Sequence, residues 1–219
     1  MEYDLTEVAS NIQNKDKVSI SYIQRTFAFG FNKAHRIFNK LVEQGYINFD
    51  GKVSKNNVDS IKIIFLDVDG VLNCQSTKDL CGLYIGLEDK KVSLLKEIVD
   101  ATNAKIVLVS SWKECWFKAK NLKDKQDDLA TYLDNKLNSQ GLSIWDKTND
   151  NNSPRRGKGI IKYLEELKKN NTEVDNYIIL DDELFDYLET KQTKHLIQTS
   201  YYQNGLERKH VRKAIERLC

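Results

Sequence analysis

The order of apolar segments predicts an α/β fold, a mainly parallel sheet with helices on both faces, preceded by a small helix-turn-helix module. Three observations carry that prediction. After residue 60, short runs rich in β-branched residues alternate with amphipathic segments of helical length, the pattern of strands joined by crossover helices. Before residue 50, apolar residues recur at three- and four-residue spacing instead. Between the two, "DGKVSKNNVD" carries turn formers and no apolar periodicity, which marks a linker and divides the chain into residues 1–57 and 58–219.

In the first part, one helix is expected around Tyr22 to Phe27 and a longer one from about Asn32 to Gln44, where Ala34, Ile37, Phe38 and Leu41 form an apolar stripe. Gly45 in "EQGYINF" ends that helix and opens a short β segment. In the second part "KIIFL" reads as a strand, "EDKKVSLLKEIVDAT" as a helix and "KIVLV" as a strand; a helical region follows to about Asn138, then the strand "LSIW". "GIIKYLEELKK" is the next helix, "NYIIL" and "HLIQT" are further strands, and a short helical turn lies between them. Residues 146–157, "DKTNDNNSPRRG", read as an exposed loop with Pro154. The final "LERKHVRKAIERLC" reads as a basic amphipathic helix at the solvated surface, not a membrane anchor.

Composition limits the class. At 219 residues the chain has enough material for one full α/β core and a small extra module. Apolar residues at 40% and charged residues at 30% exclude global disorder. A net charge of +2 is too small for overall charge to imply nucleic acid, so local charge must be read instead. No apolar run approaches the roughly 18 residues that cross a bilayer, and the acidic start "MEYDLTEVAS" lacks a secretion signal, so a cytoplasmic protein is expected. Cys74, Cys81, Cys115 and Cys219 make no C-x-x-C pair and His35, His195 and His210 are scattered, so reduced, nonligating thiols are expected.

The chemistry concentrates at three strand ends, "FLDVDG", "VLVSSW" and "IILDDE". Parallel sheets gather function at the carboxyl ends of their strands, so these three meet on one edge. Asp67 with Asp181 and Asp182 would concentrate negative charge there, and a hard divalent cation, Mg2+, is the simplest remedy. Asp67 can then attack phosphorus, forming an aspartyl phosphate that water later cleaves, while Asp69 protonates the leaving oxygen and then activates the water. Gly70 permits the sharp turn beside them. Ser110 can donate a hydroxyl hydrogen bond to a phosphoryl oxygen, and a cation from Arg155, Arg156 and Lys158 can offset its charge, with Arg156 and Lys158 the two foremost candidates. The plainer alternatives are capping or solvated aspartates and a capping Ser110 or Ser111. A calcium hand is excluded, since Gly70 is fourth from Asp67 where that loop needs its glycine sixth.

From about Ile61 onward these motifs resemble the haloacid dehalogenase superfamily of phosphotransferases: "DVDGV", Ser110, a basic residue and "DD" at Asp181 and Asp182. The resemblance implies a Rossmann-like fold with Asp67 as nucleophile and Asp69 as acid/base; Asp67, the main-chain carbonyl of Asp69 and Asp181 or Asp182 hold magnesium. "FLDVDGVLN", "AKIVLVSSWK", "RRGKGIIKYL", "NYIILDDE" and "LIQT…NGL" are similar, more closely, to the domain found in multifunctional RNA-repair proteins. That family's third motif often has an R-G pair, which favours Arg156, whereas the general superfamily role keeps Lys158 in competition. The insertion "CQSTKDLCGLYIGLEDKK", about 18 residues, makes at most a minimal cap and leaves an open site. Trp112 either stacks on a base there or packs beneath the loop, and Tyr84 is a weaker contact candidate.

Between Lys17 and Lys40 lie Lys17, Arg25, Lys33, Arg36 and Lys40 and no acid, +5 in a chain of +2. "SISYIQRTF" and "NKAHRIFNKLVEQGYI" joined by "AFGF" read as a helix-turn-helix whose second helix suits a major groove. This stretch resembles the DNA-reading gamma domain of bacterial DNA translocases, a winged helix. The resemblance implies Gln24, Arg25, Asn32, Lys33 and Arg36 as nucleic-acid contacts, with Lys33 standing where the family has Arg. Binding should weaken with salt.

The expected function is a magnesium-dependent phosphomonoester hydrolase delivered by a winged helix to terminal phosphates of nucleic acid, DNA or RNA, with Ser111, Trp112 and Arg155 as substrate contacts. A nucleotide or small-metabolite phosphatase with a regulatory or protein-binding winged helix, and a DNA-binding regulator with little catalysis, are the alternatives. The 5′ or 3′ polarity and the oligomeric state stay open.

Overall fold

The computed structural model describes residues 5–12, 14–53, 60–118, 128–149, 155–170 and 172–219. Residues 54–59 of the predicted linker and wing, much of the predicted helical region before Asn138, and Pro154 with its neighbours lie outside them. The chain divides into two compact units, Met1–Ser60 with Asn171–Glu173, and Ile61–Asn170 with Val174–Cys219.

Among the described residues, the small unit holds three helices, α1 (Leu5–Ile12), α2 (Ile20–Phe27) and α3 (Phe31–Glu43). The Ser19 hydroxyl caps α2 by accepting the Tyr22 N–H at 3.1 Å. Ala28, in the left-handed region at φ 52°, ends it. Gly30 then caps α3, one residue earlier than the expected start at Asn32. Ala34 and Leu41 of the apolar stripe are fully buried with Val8, Ile12, Ile23 and Ile47, while Ile37 and Phe38 pack around them. α1, absent from the sequence expectation, supplies Val8 and Ile12 to this core. Among the described residues, the expected β segment takes the form of antiparallel bridges, Ile47 with Val53 and Lys17 with Lys52.

The large unit holds strands β1 (Ile61–Leu66), β4 (Lys105–Leu108), β5 (Ile144–Lys147), β6 (Val174–Asp181) and β7 (Leu196–Gln198) in one sheet of order β5-β4-β1-β6-β7. Every neighbouring pair is parallel. β1 alternates its side chains between two cores, as a period of two requires. Ile64 and Leu66 pack with Leu95 of α4 (Asp89–Thr102), Leu133 of α5 (Asp128–Asn138) and Ala214 of α7 (Arg208–Leu218). Ile63 and Phe65 pack on the other face with Ile160 and Tyr163 of α6 (Arg156–Lys169). α7 is therefore only partly solvated: Val211, Ala214 and Leu218 bury one face. The insertion after β1 forms a hairpin of two-residue strands, β2 (Leu80–Cys81) and β3 (Tyr84–Ile85). That is the minimal cap; Tyr84 is exposed on it.

Two boundaries differ from expectation. β5 runs two residues beyond "LSIW", so Asp146 and Lys147 belong to the sheet and not to the loop. α6 begins at Arg156, three residues before the expected "GIIKYL", because Asp186 accepts the Gly157 N–H at 2.6 Å and the Lys158 N–H at 3.1 Å. None of the cysteines is in a disulfide. No helix among the described residues is long and apolar enough to cross a membrane.

Candidate active site

Register brings the three strand ends together. Leu66 of the central strand pairs with Leu108 on one side and Leu180 on the other, so the residues that follow lie side by side at the carboxyl edge. Asp67 N–H continues the ladder to the Leu180 carbonyl at 2.9 Å, and Val109 N–H reaches the Leu66 carbonyl at 3.0 Å.

Beyond Asp67 the chain turns through Gly70 at φ 71°, in the left-handed region. A side chain at this position would also clash with the Asp182 carboxyl, so the turn and the close approach both require glycine. The turn is held by Asn73, whose side-chain oxygen accepts the Gly70 N–H at 2.9 Å and whose amide donates to Asp69 Oδ1 at 2.8 Å. Trp112 Nε1 donates to Asp69 Oδ2 at 2.9 Å. Both Asp69 oxygens are thus held.

Asp67, Asp181 and Asp182 each offer an oxygen within 4.8 Å of the others. Arg156 Nη1 stands between two of them, 2.7 Å from Asp181 Oδ2 and 3.1 Å from Asp67 Oδ1, with its guanidinium 4.2 Å from the centre of the Phe185 ring. Asp181 is fully buried and braced by the Tyr187 hydroxyl at 2.8 Å and the Glu183 N–H at 3.0 Å. Burial, and then for Asp67 the repulsion of Asp181, push the carboxyls of this pair upward, against the pull of Arg156. Burial and the Asp67 and Glu183 charges push Asp182 up to about 6. The Ser110 hydroxyl hydrogen-bonds Asp67 and accepts the Trp112 N–H at 3.4 Å.

Despite the close Arg156, Asp67 Oδ1 is buried without a hydrogen bond, since the guanidinium meets it at ion-pair distance but outside hydrogen-bonding geometry. A hard cation suits this set: three carboxylates in contact range, and one buried oxygen left without a hydrogen bond. The cleft in front measures about 230 Å³ and is lined by Asp67, Asp69, Arg156 and Asp182, then Glu183, Phe185, Tyr201 and Tyr202.

The expected residues fall into two groups. Asp67, Asp69, Ser110, Arg156, Asp181 and Asp182 come together. Lys158, Arg155 and Ser111 are exposed and are not among the residues that line the cleft; Lys158 meets Asp186 through its main chain. Of the two cations in competition, Arg156 is the one that reaches the acids. Trp112 requires a correction. It is 5% exposed and packed in the core, so no face is open to a base, and its contribution is the indole N–H on Asp69. Sequence reasoning missed Asn73 and the aromatic rim of Phe185, Tyr201 and Tyr202; "VLN" and "TSYYQNG" contained the residues, but nothing in either showed which surface they face.

In the small unit Arg25, Asn32 and Arg36 are exposed, Gln24 is half-buried, and the Lys33 ammonium lies 4.2 Å from the Phe29 ring centre.

A parallel sheet whose adjacent strands end in an Asp-x-Asp-Gly turn, a serine and an Asp pair, with a minimal cap, has the architecture of the haloacid dehalogenase superfamily and of its phosphoryl-transfer chemistry. Residues 63–211 match the family described as the HAD domain in Swiss Army Knife RNA repair proteins, and the chain belongs to that family. Residues 3–57 match the Ftsk gamma domain. No curated protein and no solved structure matches the chain.

Proposed function

We propose that the chain is a magnesium-dependent phosphomonoester hydrolase that removes terminal phosphates from nucleic acid through an aspartyl-phosphate intermediate, in repair or end processing in the cytoplasm. The observation that carries this reading is the alignment of Asp67 and Asp69 on one small cleft whose rim no large cap covers among the described residues. Asp67, at the end of the central strand and on the wall of the cleft, supplies the nucleophilic carboxylate oxygen. Its attack forms the O–P bond as the ester O–P bond breaks. Asp69, oriented by Asn73 and Trp112, delivers a proton to the departing oxygen, then takes one from the water that cleaves the acyl phosphate. Arg156 and Ser110 offset charge on the phosphoryl oxygens. Asp67, the Asp69 carbonyl and Asp182, with Asp181 behind, would hold Mg2+, which supplies positive charge to the phosphoryl group.

Two features favour nucleic acid over a small metabolite. The family is described from RNA repair proteins, and the small unit matches a gamma domain and carries Arg25, Asn32, Lys33 and Arg36, with Gln24, on its helix-turn-helix. Phosphate release should be measured from matched 5′- and 3′-phosphorylated DNA and RNA oligonucleotides and from free nucleotides, with magnesium. We expect turnover of one oligonucleotide end that falls roughly a thousand-fold or more in Asp67→Asn. Turnover unchanged by that substitution would remove the assigned nucleophile, and turnover confined to free nucleotides would replace the nucleic-acid reading with a nucleotidase.

A further inference from the structure

The cleft has two chemically different walls. Acids and Arg156 form the inner one, while the segment after β7 brings Tyr201 and Tyr202 to the outer rim. Tyr202 is 80% exposed, and its ring meets that of Tyr201 edge to face at 5.5 Å between centroids. A single exposed aromatic is ordinary on a protein surface. The backbone beneath this one is not ordinary, because it is fastened to the reacting residues on both sides. Thr199 donates its N–H to the Asp181 carbonyl at 2.9 Å and its hydroxyl to the Gly70 carbonyl at 2.7 Å. The Tyr201 carbonyl accepts the Gln75 N–H at 2.9 Å, and a main-chain hydrogen bond joins Tyr201 to the Asp182 carboxylate. Tyr202 is therefore carried at a set place relative to Asp67, with an open ring face.

Charge narrows what can lie on that face. Asp182 and Glu183 share the cleft with the tyrosines and disfavour a second phosphate beside the first, and Arg156 is committed to the acids at the inner end. A neutral, planar group fits this setting, and an aromatic ring braced edge-on by another presents a flat surface for it.

We propose that Tyr202, braced by Tyr201, is the platform on which the base of the terminal nucleotide stacks while its monophosphate sits before Asp67. The proposal rests on the reading of the cleft as a phosphatase site for nucleic-acid ends. It assigns to Tyr202 the contact that the buried Trp112 has no free face to make.

The test uses the full chain and oligonucleotides with a phosphorylated terminal nucleotide that carries 2-aminopurine or no base. With Asp67→Asn to prevent turnover, bound 2-aminopurine should lose fluorescence. Adding Tyr202→Ala or Tyr202→Leu should restore it, and Tyr202→Phe should not. In the otherwise wild-type chain, Tyr202→Ala should lower kcat/KM about ten-fold on ends that carry a base. It should leave abasic ends unchanged. Equal losses on both kinds of end, or quenching that survives Tyr202→Ala, would overturn the platform. The nucleic-acid reading fails separately: phosphate release from none of the oligonucleotides, with Tyr202-dependent quenching of 2-aminopurine riboside monophosphate intact, would remove that reading and keep the stack. Quenching of neither ligand would remove the stack itself.

Discussion

At Asp69 two neutral donors, Asn73 and Trp112, meet one carboxylate, and each grips a different oxygen. Replacing Trp112 with Phe keeps most of the packed ring but deletes the donor. A hydrogen bond to a charged group contributes about 1.5–3 kcal/mol, so kcat should fall roughly ten- to hundred-fold if that bond is made in the transition state. The discriminating measurement is the split between kcat and KM: loss of a donor from the proposed acid/base should lower kcat and leave KM unchanged, whereas a purely structural defect would move both. The acids themselves were legible because each directly follows an apolar run, and strand ends are where a parallel sheet places its chemistry. Their partners were not. Trp112 is 43 residues from Asp69, and no local pattern states that an indole will turn inward to meet a carboxylate.

At the level of elements, α6 shows how a distant residue decides where a helix begins. Arg155, at the cap position, makes no side-chain cap, and the orphan N–H groups of Gly157 and Lys158 are taken by Asp186 from 29 and 28 residues away. The cap also places Arg156 on the first turn, where it reaches Asp67 and Asp181. Asp186→Ala should lower the unfolding free energy by about 2 kcal/mol, read as a lower urea midpoint at unchanged slope, and should reduce turnover through Arg156. A midpoint equal to wild type would show that the cap does not stabilise the helix. The alternation of strands and helices was readable from period alone, whereas the start of α6 depended on this long-range bond. α1 escaped notice for a different reason: its eight residues "LTEVASNI" give too few turns for a stripe to stand out, and their burial comes from packing on α3.

For the molecule as a whole, pH should act on stability through His210. Its Nδ1 accepts the Glu207 N–H at 3.1 Å in the capping box of α7, which requires a neutral ring. Burial, then the neighbouring Lys209 and Lys213 charges, hold its pKa below 6.5 against the pull of Glu207. The unfolded chain therefore binds the proton more readily, so this contribution is complete above about pH 6.5 and is lost as pH falls through the folded value. The raised carboxyls of the site act in the opposite direction over the same pH range, and comparison with His210→Gln cancels them. Between about pH 7.5 and about pH 5.5 wild type should lose more stability than His210→Gln in urea titrations. A constant difference between the two would exclude the imidazole as the cause. The hydroxyl of Thr199 on the carbonyl of Gly70 joins residues 129 positions apart in the chain. During synthesis the segment with Asp67 leaves the ribosome long before the segment that fastens it, and the central strand must wait for β6 to fill its second edge. On the proposed mechanism, Asp67 emerges before the residues that would let it act, and β6 and β7 must dock before it could turn over a substrate.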